Sequence, residues 1–172
     1  MASFVYGCKV GYTESTTSMF LSDSPPFEAS RNDVSWMASI SYTGTLISVV
    51  LCFTLTNKVS LKKFIIGSTI TFTLAWLLIL LTSSIKIVIA CLFFYGVAAS
   101  ILVITAHIYF AEIASPDTRA FLILLYFLTT SLGIQVEFAI SAFKSYRLLA
   151  VLPLVAGIVT LILSYFMVES PY

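Results

Sequence analysis

Six apolar stretches, each about twenty residues long, take up most of this 172-residue chain and constrain its fold more than any other feature. The hydrocarbon core of a bilayer is about 30 Å thick, and an α-helix needs about 20 mostly apolar residues to cross it. Since a backbone exposed to lipid must satisfy its own hydrogen bonds, such stretches predict membrane-spanning helices. The predicted spans are residues 4–21, 34–55, 64–81, 87–110, 121–143 and 148–168, of which the first is the weakest.

The composition fits a chain that is surrounded by lipid. Hydrophobic residues make up 59% of the chain and charged residues only 10%, which excludes an ordinary water-soluble domain. Lys and Arg number 9 against 8 Asp and Glu, so the net charge is +1 and the basic surface of a nucleic-acid-binding protein is missing. The sequence therefore predicts an integral, multi-pass membrane protein with the lipid bilayer as a partner and no nucleic-acid partner.

The connections between the spans are short and carry most of the charge. The longest, SDSPPFEASRND at 22–33, has the Pro-Pro and acidic residues of a solvated loop that caps the next helix. The turn NKVSLKK at 57–63 is the densest basic cluster, and the positive-inside rule favours the cytoplasm for it, although the two sides carry equal totals of Lys and Arg. That orientation also places both chain termini in the cytoplasm.

Motifs for catalysis and for cofactor binding are missing from the sequence. It has no GxSxG, no HExxH and no glycine-rich phosphate loop, so hydrolase, metalloprotease and nucleotide-driven chemistry lack the residues they need. His107 is the only histidine, and we interpret it as a packing residue of the fourth span. Cys8, Cys52 and Cys91 lie about forty residues apart, a spacing that fits neither a disulfide framework nor a metal site. We expect no enzymatic activity and no cofactor.

Ionisable residues inside the spans are candidates for function, because a charged group in hydrocarbon is costly. Lys9 and Glu14 of the first span lie five residues apart, on different faces of a helix, and each either lines a cavity or extends to the headgroups. Gln135 and Glu137, near the end of the fifth span, are interpreted as interfacial residues. The GxxxG motif at 7–11 predicts a close contact between helices.

Several short motifs resemble ones that occur together in a single transporter family. The segment YFAEIASPDTR at 109–119 resembles its signature YxAEIAPxxxRG, and VESPY at 168–172 resembles its PESPY. GYT at 11–13 resembles a motif of its first helix, while VSW at 34–36 and YR at 146–147 resemble the starts of its second and sixth helices. In their order and spacing, these motifs resemble the amino-terminal half of a sugar porter of the major facilitator superfamily, in particular insect facilitated trehalose and glucose transporter-like members.

The resemblance implies an all-α, polytopic fold of about six transmembrane helices, arranged as two inverted three-helix repeats. Residues 1–172 are then expected to be the amino-terminal domain of such a protein, with its first helix shortened and the whole carboxy-terminal half lacking. The implied function is facilitated, alternating-access transport of a hexose or trehalose across the plasma membrane. Since the family binds substrate between two halves, we expect the chain alone to be inactive unless it pairs with a second transporter half or a full-length porter.

The resemblance also assigns charged residues to a cytoplasmic gate. In the family, such residues make charge-assisted hydrogen bonds between helix ends and hold the outward-open state. Glu112 and Arg119 match the signature on either side of a turn, and Glu169 matches an acidic residue after the sixth helix. Where the family has DRxGRK, this chain has NKVSLK at 57–62, so we expect a weakened gate. The gate positions in this turn are Asn57, Lys58 and Lys62.

The substrate-binding positions implied by the same register lie in the first and fifth helices. They are Val10, Thr13, Glu14, Phe127, Thr130, Ser131 and Ile134. Phe127 stands where the family has a sugar-binding glutamine, and its side chain offers a sugar hydroxyl no hydrogen bond. Proton-coupled members have an aspartate at the position of Thr13 and an arginine at that of Leu92, so the absence of both favours facilitated diffusion over symport. Glu14, one residue along from Thr13, leaves a proton-coupled role as the alternative.

Two other functions are compatible with the same sequence. One is a non-transporting, truncated membrane protein that associates with full-length transporters, an alternative that Phe127 and the altered turn at 57–62 favour. A channel is a weaker option, because the sequence has no filter motif. A reading frame that continues past Tyr172 into helices with a second gating signature would favour the carrier over the first alternative.

Overall fold

The computed structural model describes residues 1–22, 25–55 and 60–166. These residues form six α-helices, and the described ranges contain no β-strand. The ends of each helix lie within five residues of a predicted span, so the predicted all-α fold is confirmed. In chain order the helices are α1 (Ala2–Phe20), α2 (Arg31–Leu55), α3 (Leu61–Leu81), α4 (Ile85–Ile113), α5 (Pro116–Ser141) and α6 (Tyr146–Tyr165).

Polar residues in the connections start two of the helices. At α2, the Ser30 backbone N–H and hydroxyl donate to Asp33 Oδ2 at 3.0 and 2.8 Å, and the Asp33 N–H donates back to Ser30 Oγ at 3.2 Å. This reciprocal arrangement is a capping box with an aspartate as its acidic member. At α6, Ser145 Oγ accepts a hydrogen bond from the Leu148 N–H at 3.4 Å. These bonds satisfy N–H groups that a helix end otherwise leaves without partners.

Five of the described helices, α2 to α6, are long and apolar enough to cross a membrane. The remaining helix, α1, corresponds to the stretch that the sequence marked as weakest. Most of its polar residues, which give it a lower hydropathy, face protein instead of lipid. Ser3, Lys9, Thr13, Ser15 and Thr16 are all buried. Several of their hydroxyls bond within the helix, as where Thr16 donates to the Tyr12 carbonyl at 2.6 Å, so α1 is an interior helix of the bundle.

The packing order agrees with an inverted repeat. α1 packs mainly against α5 and α2 against α4, while α3 packs against both α4 and α6. In an inverted repeat, α1, α2 and α3 correspond to α4, α5 and α6. Under this correspondence the α1–α5 pair matches the α4–α2 pair, as a pseudo-twofold axis requires. Within the first pair the helices run parallel, because Ser3 bonds to Thr129 and Gly11, farther along α1, contacts Glu137, farther along α5.

Both of these pairs cross at glycines. A Cβ on Gly7 of α1 or on Gly133 of α5 would lie within 2.5 Å of a backbone carbonyl oxygen of the other helix. The same is true of Gly44 on α2 and Gly96 on α4. No other residue type fits this close an approach of two backbones, which is how small residues bring helices together in membranes.

The core between α1, α3, α4 and α6 is largely aromatic. The Trp76 ring packs edge-on against Tyr12, with centroids 4.6 Å apart, and against Tyr95 at 5.1 Å. Phe72 lies 5.3 Å from Tyr95, and Tyr146 lies 6.1 Å from Tyr12. Rings at these separations bury large apolar areas and add favourable edge-to-face contacts, so they hold the four helices together.

Large apolar side chains also cover much of the outer surface. Such exposure is costly in water but favourable in hydrocarbon, which agrees with a chain that spans a membrane. The most exposed of them include Leu46, Phe53, Leu81, Phe121, Phe143 and Phe166.

Candidate functional site

The seven predicted substrate-binding residues all lie on one helix pair, α1 with α5, but their surroundings differ. Glu14 and Ser131 are exposed, and Phe127 is 59% exposed. Val10, Thr130 and Ile134 are half-buried, and Thr13 is buried.

Phe127 and Glu14 lie at opposite ends of this helix pair. Phe127 is two residues from Thr129, whose hydroxyl forms a hydrogen bond of 2.5 Å with Ser3 at the start of α1. Glu14 lines a cavity together with Phe138, which is eleven residues beyond Phe127 on α5. At 1.5 Å per residue, that separation is about 16 Å along the helix. The chain therefore does not bring these two residues into one compact site.

Thr130 and Ile134 take part in a helix contact, and Thr13 bonds within its own helix. The hydroxyls of Thr13 and Thr130 donate to carbonyls of their own helices at 3.1 and 2.9 Å. The backbone carbonyls of Thr130 and Ile134 lie against Gly7 and Gly11 of α1. Thr130 and Ile134 therefore lie where α1 and α5 touch, and the exposed members of the predicted set are Glu14, Phe127 and Ser131.

Glu137 is not an interfacial residue, contrary to its interpretation from the sequence. Its side chain is 0% exposed, and neither carboxylate oxygen has a hydrogen-bond partner among the described residues. It packs on Gly11 of α1, where an added Cβ would lie 2.5 Å from Glu137 Cβ. The absence of a side chain at Gly11 therefore makes room for Glu137. In the sequence, the GxxxG motif at 7–11 predicted a close helix contact. The motif alone does not show which residue packs against its second glycine, Gly11.

Lys9 is also buried, with 2% of its surface exposed, so it does not extend to the headgroups. Its Nζ lies over three tyrosine rings, 5.5 Å from the centroid of Tyr6, 5.3 Å from Tyr42 and 5.6 Å from Tyr95. These distances are within the range of cation–π attraction. Because the rings belong to α1, α2 and α4, the ammonium links three helices. From the sequence alone, only the contact with Tyr6 could be predicted, because Tyr6 lies one helical turn before Lys9 and the other two rings lie on other helices.

Buried tyrosine hydroxyls lie in the aromatic core between these helices. The hydroxyls of Tyr12, Tyr95 and Tyr146 are buried; those of Tyr12 and Tyr146 interact with each other, while that of Tyr95 has no hydrogen-bond partner among the described residues. The Trp76 indole N–H shares this condition. These groups come from α1, α3, α4 and α6 and lie within the aromatic core, although buried polar groups in proteins are generally hydrogen-bonded.

The predicted gate residues are only partly described. Arg119 Nη2 donates to the Ala111 carbonyl at 2.8 Å, a charge-assisted bond that ties the start of α5 to the end of α4. Glu112, at the end of α4, and Lys62, in the first turn of α3, are half-buried. Asn57, Lys58 and Glu169 lie outside the described residues.

His107 bonds within α4, with Nδ1 2.8 Å from the Val103 carbonyl oxygen, and its ring lies 4.5 Å from that of Tyr126 on α5. This is the packing position expected from the sequence. The described residues contain no group of three or more His, Cys, Asp and Glu side chains that could hold a metal ion.

Comparison with known proteins points to one family. The family model described as Major Facilitator Superfamily matches residues 2–172. Sugar transporter ERD6-like 15 of Arabidopsis thaliana is 27% identical over 169 residues, which are 98% of this chain and 35% of that protein. Facilitated trehalose transporter Tret1 of Drosophila grimshawi is 25% identical, and that of Apis mellifera ligustica 26% identical, each over 99% of this chain. The chain spans 18% of the first Tret1 protein and 34% of the second, so it covers about a third or less of these relatives.

Proposed function

The chain belongs to the Major Facilitator Superfamily, and we propose that it is the amino-terminal half of a facilitative sugar carrier that works by alternating access. The observation that carries the proposal is the pair of parallel helix contacts, α1 with α5 and α2 with α4, which fits an inverted repeat. The relatives named as sugar and facilitated trehalose transporters support a hexose or trehalose as the substrate.

Facilitated diffusion is the mode of transport that the interior favours. Position 13 holds a threonine whose hydroxyl donates to the Lys9 carbonyl of the same helix. Position 92 holds a leucine that is fully buried in the core. Neither residue can exchange a proton with a substrate pathway, so the positions used by proton-coupled members are apolar or internally bonded here.

We infer that transport requires a second half. Phe127, Leu128 and Leu132 on α5 are each more than half exposed within this chain. A second transporter half, or a full-length porter, would cover such a face and supply the other wall of a substrate pathway. On this proposal the chain acts in the plasma membrane with both termini in the cytoplasm.

Uptake by reconstituted vesicles tests this function. The purified chain is placed in proteoliposomes alone, and in parallel with the carboxy-terminal half of a sugar porter, and the entry of labelled trehalose and D-glucose is measured against L-glucose. We expect background entry for the chain alone and saturable entry of one D-sugar for the combination. Saturable entry through the chain alone would contradict the requirement for a second half.

The size of the endogenous protein distinguishes two sources of the second half, a continuation of the same chain and a separate membrane partner. An immunoblot with an antibody to residues 22–33 reports whether the band lies near the 18.9 kDa of this chain or well above it. A larger band indicates that the six helices are part of a longer porter. A band near 18.9 kDa directs the search to membrane partners.

The exposed ring of Phe127 favours one alternative, a non-transporting protein that associates with full-length transporters. A phenyl group on this face suits contact with another apolar surface and offers sugar hydroxyls no hydrogen bond. Co-purification with a full-length porter, together with no saturable uptake in any combination of halves, would support this alternative over the carrier.

A further inference from the structure

A polar cavity opens at one end of the bundle, between α1, α5 and the start of α6. Its volume is about 590 Å³, within the range of small-molecule binding sites. The cavity lies on the side of the molecule that holds the α1–α2 and α5–α6 connections. All of its lining residues belong to this chain, in α1, the α1–α2 connection, α5, the α5–α6 connection and the start of α6.

Two opposite charges line the cavity. Glu14 comes from α1, and Lys144 comes from the turn before α6. Both side chains are exposed, and neither bonds to another described residue. Because a carboxylate accepts hydrogen bonds and an ammonium donates them, the pair offers both kinds of partner while adding no net charge. This combination suits a neutral solute with many hydroxyl groups and gives no net attraction to an ion.

The Lys144 position is fixed by an unusual backbone. Its φ of 50° is in the left-handed region, and it is the only described non-glycine residue with a positive φ. The Lys144 N–H donates to the Ser141 carbonyl at 2.9 Å, which closes the turn beside the cavity. This backbone conformation places Lys144 at the rim of the cavity, where its side chain lines the opening.

Hydroxyl and apolar groups complete the lining. Ser18 is exposed at the cavity, while Ser15 is buried and its hydroxyl has no hydrogen-bond partner. Phe138 and Met19 provide apolar walls. A sugar ring has hydroxyls around its edge and C–H groups on its faces, so it can satisfy the polar groups and rest against the apolar ones at the same time.

We propose that this cavity is a peripheral sugar-binding site, in which Glu14 and Lys144 hold the hydroxyl groups of one neutral sugar at the mouth of the bundle. The proposal rests on the proposed function for its substrate class. It assigns Glu14 to a site that is separate from the region of Phe127, about 16 Å away along the helix pair. In the orientation proposed above, the site faces the outside of the cell and receives sugar before it reaches the transport pathway.

Binding of trehalose to the purified chain in lipid nanodiscs tests the site without any transport. Saturation-transfer NMR at increasing trehalose concentration gives a dissociation constant. We expect saturable binding by the unchanged chain, and a dissociation constant raised about ten- to hundredfold in Glu14→Gln and in Lys144→Gln, since each variant loses a charge-assisted hydrogen bond. Both side chains are exposed, so the two variants are expected to fold normally.

Matched controls come from the same side of the molecule. Glu28→Gln and Lys86→Gln make the same charge changes at exposed positions that do not line the cavity, and they are expected to leave the dissociation constant unchanged. No saturable signal, or an equal loss in the controls, would overturn the site. Stronger displacement of trehalose by glycine betaine than by glucose would also overturn it, because the two charges would then select a zwitterion. Uptake by the combined halves without trehalose binding here would refute this site and leave the carrier function standing.

Discussion

Gly7 of α1 and Gly133 of α5 meet backbone to backbone: the Cα of each lies 3.1 Å from the point where a Cβ on the other would be. The corresponding contact in the second pair places the Gly96 carbonyl carbon 3.3 Å from the Cβ position of Gly44. The two crossings are equivalent in the inverted repeat. A side chain of any size at these positions therefore separates the helices.

Gly133→Ala is expected to destabilise the bundle. The new methyl group would lie 2.5 Å from the Phe4 carbonyl oxygen and 2.9 Å from the Cys8 nitrogen, both parts of a rigid helix backbone. Overpacking of this kind costs about 1–3 kcal/mol. Thermal unfolding in detergent measures the effect. The control is Gly67→Ala on α3, where a Cβ would meet nothing within 4 Å, and equal stability of the two variants would show that the crossing can relax.

Replacing Glu137 by methionine is expected to raise the free energy of unfolding. Glu137 is fully buried and its oxygens have no partner among the described residues, so an apolar side chain of similar size removes the cost of an unsatisfied group, about 1–3 kcal/mol. Gln135→Met, at an exposed position one half-turn away, should change stability by less than about 0.5 kcal/mol. Destabilisation by Glu137→Met would contradict this prediction. Increased stability together with lost uptake in the reconstituted carrier would assign Glu137 a role in transport.

Lys9 and Tyr42 are expected to be energetically coupled. The Nζ lies 5.3 Å from the ring centroid, and a double-mutant cycle with Lys9→Met and Tyr42→Leu should give a coupling of about 0.5–2 kcal/mol. Tyr165, exposed on α6, serves as the control, since its replacement by leucine should add to Lys9→Met without coupling. Additive effects for Tyr42 would mean that the ring does not stabilise the ammonium.

Cysteine labelling is expected to show Ser60 on the cytoplasmic side and Ser83 on the outer side. Both residues are exposed in connections at opposite ends of α3. In a variant without the three native cysteines, a membrane-impermeant maleimide applied to intact cells should label Ser83→Cys and should label Ser60→Cys only after permeabilisation. The reverse labelling pattern would mean that the bundle has the opposite orientation in the membrane and that the sugar cavity faces the cytoplasm.

Phe127→Gln is expected to improve sugar transport by the combined halves. A glutamine at this exposed position can donate and accept hydrogen bonds, and one such bond lowers the KM by about three- to tenfold. Leu128→Gln makes a similar change at the next exposed residue of α5 and should leave the KM unchanged. An unchanged KM in both variants would show that sugar does not contact Phe127.

The sequence predicted the helices well because the length of an apolar stretch reports directly on membrane crossing. The largest error in a helix start was at α5, predicted from residue 121 and observed from Pro116. The first turn of this helix contains Asp117 and Arg119, which lower its hydropathy without preventing helix formation. Polar helix ends of this kind are invisible to a search for apolar residues.

The environment of individual residues was harder to predict, because it depends on neighbouring helices. Glu137 was assigned to the membrane interface since it lies near the end of a stretch, but burial follows from its register against Gly11 of another helix. Lys9 likewise finds Tyr42 and Tyr95 on two further helices. The predicted substrate-binding residues were assigned by matching positions along the sequence to those of the family. Such matching gives no distance in space, so it did not show that Phe127 and Glu14 lie far apart.

The contact between α1 and α5 also constrains how the protein is made. Ser3 and its hydrogen-bond partner Thr129 are 126 residues apart, a length that a ribosome synthesises in roughly 6–25 s at about 5–20 residues per second. During that interval Ser3, Gly7 and Gly11 of α1 lack the helix that packs against them. Biogenesis therefore has to keep the first helix from being lost to the aqueous phase or to the wrong neighbour until α5 arrives. Correct insertion of this bundle is thus decided late in translation.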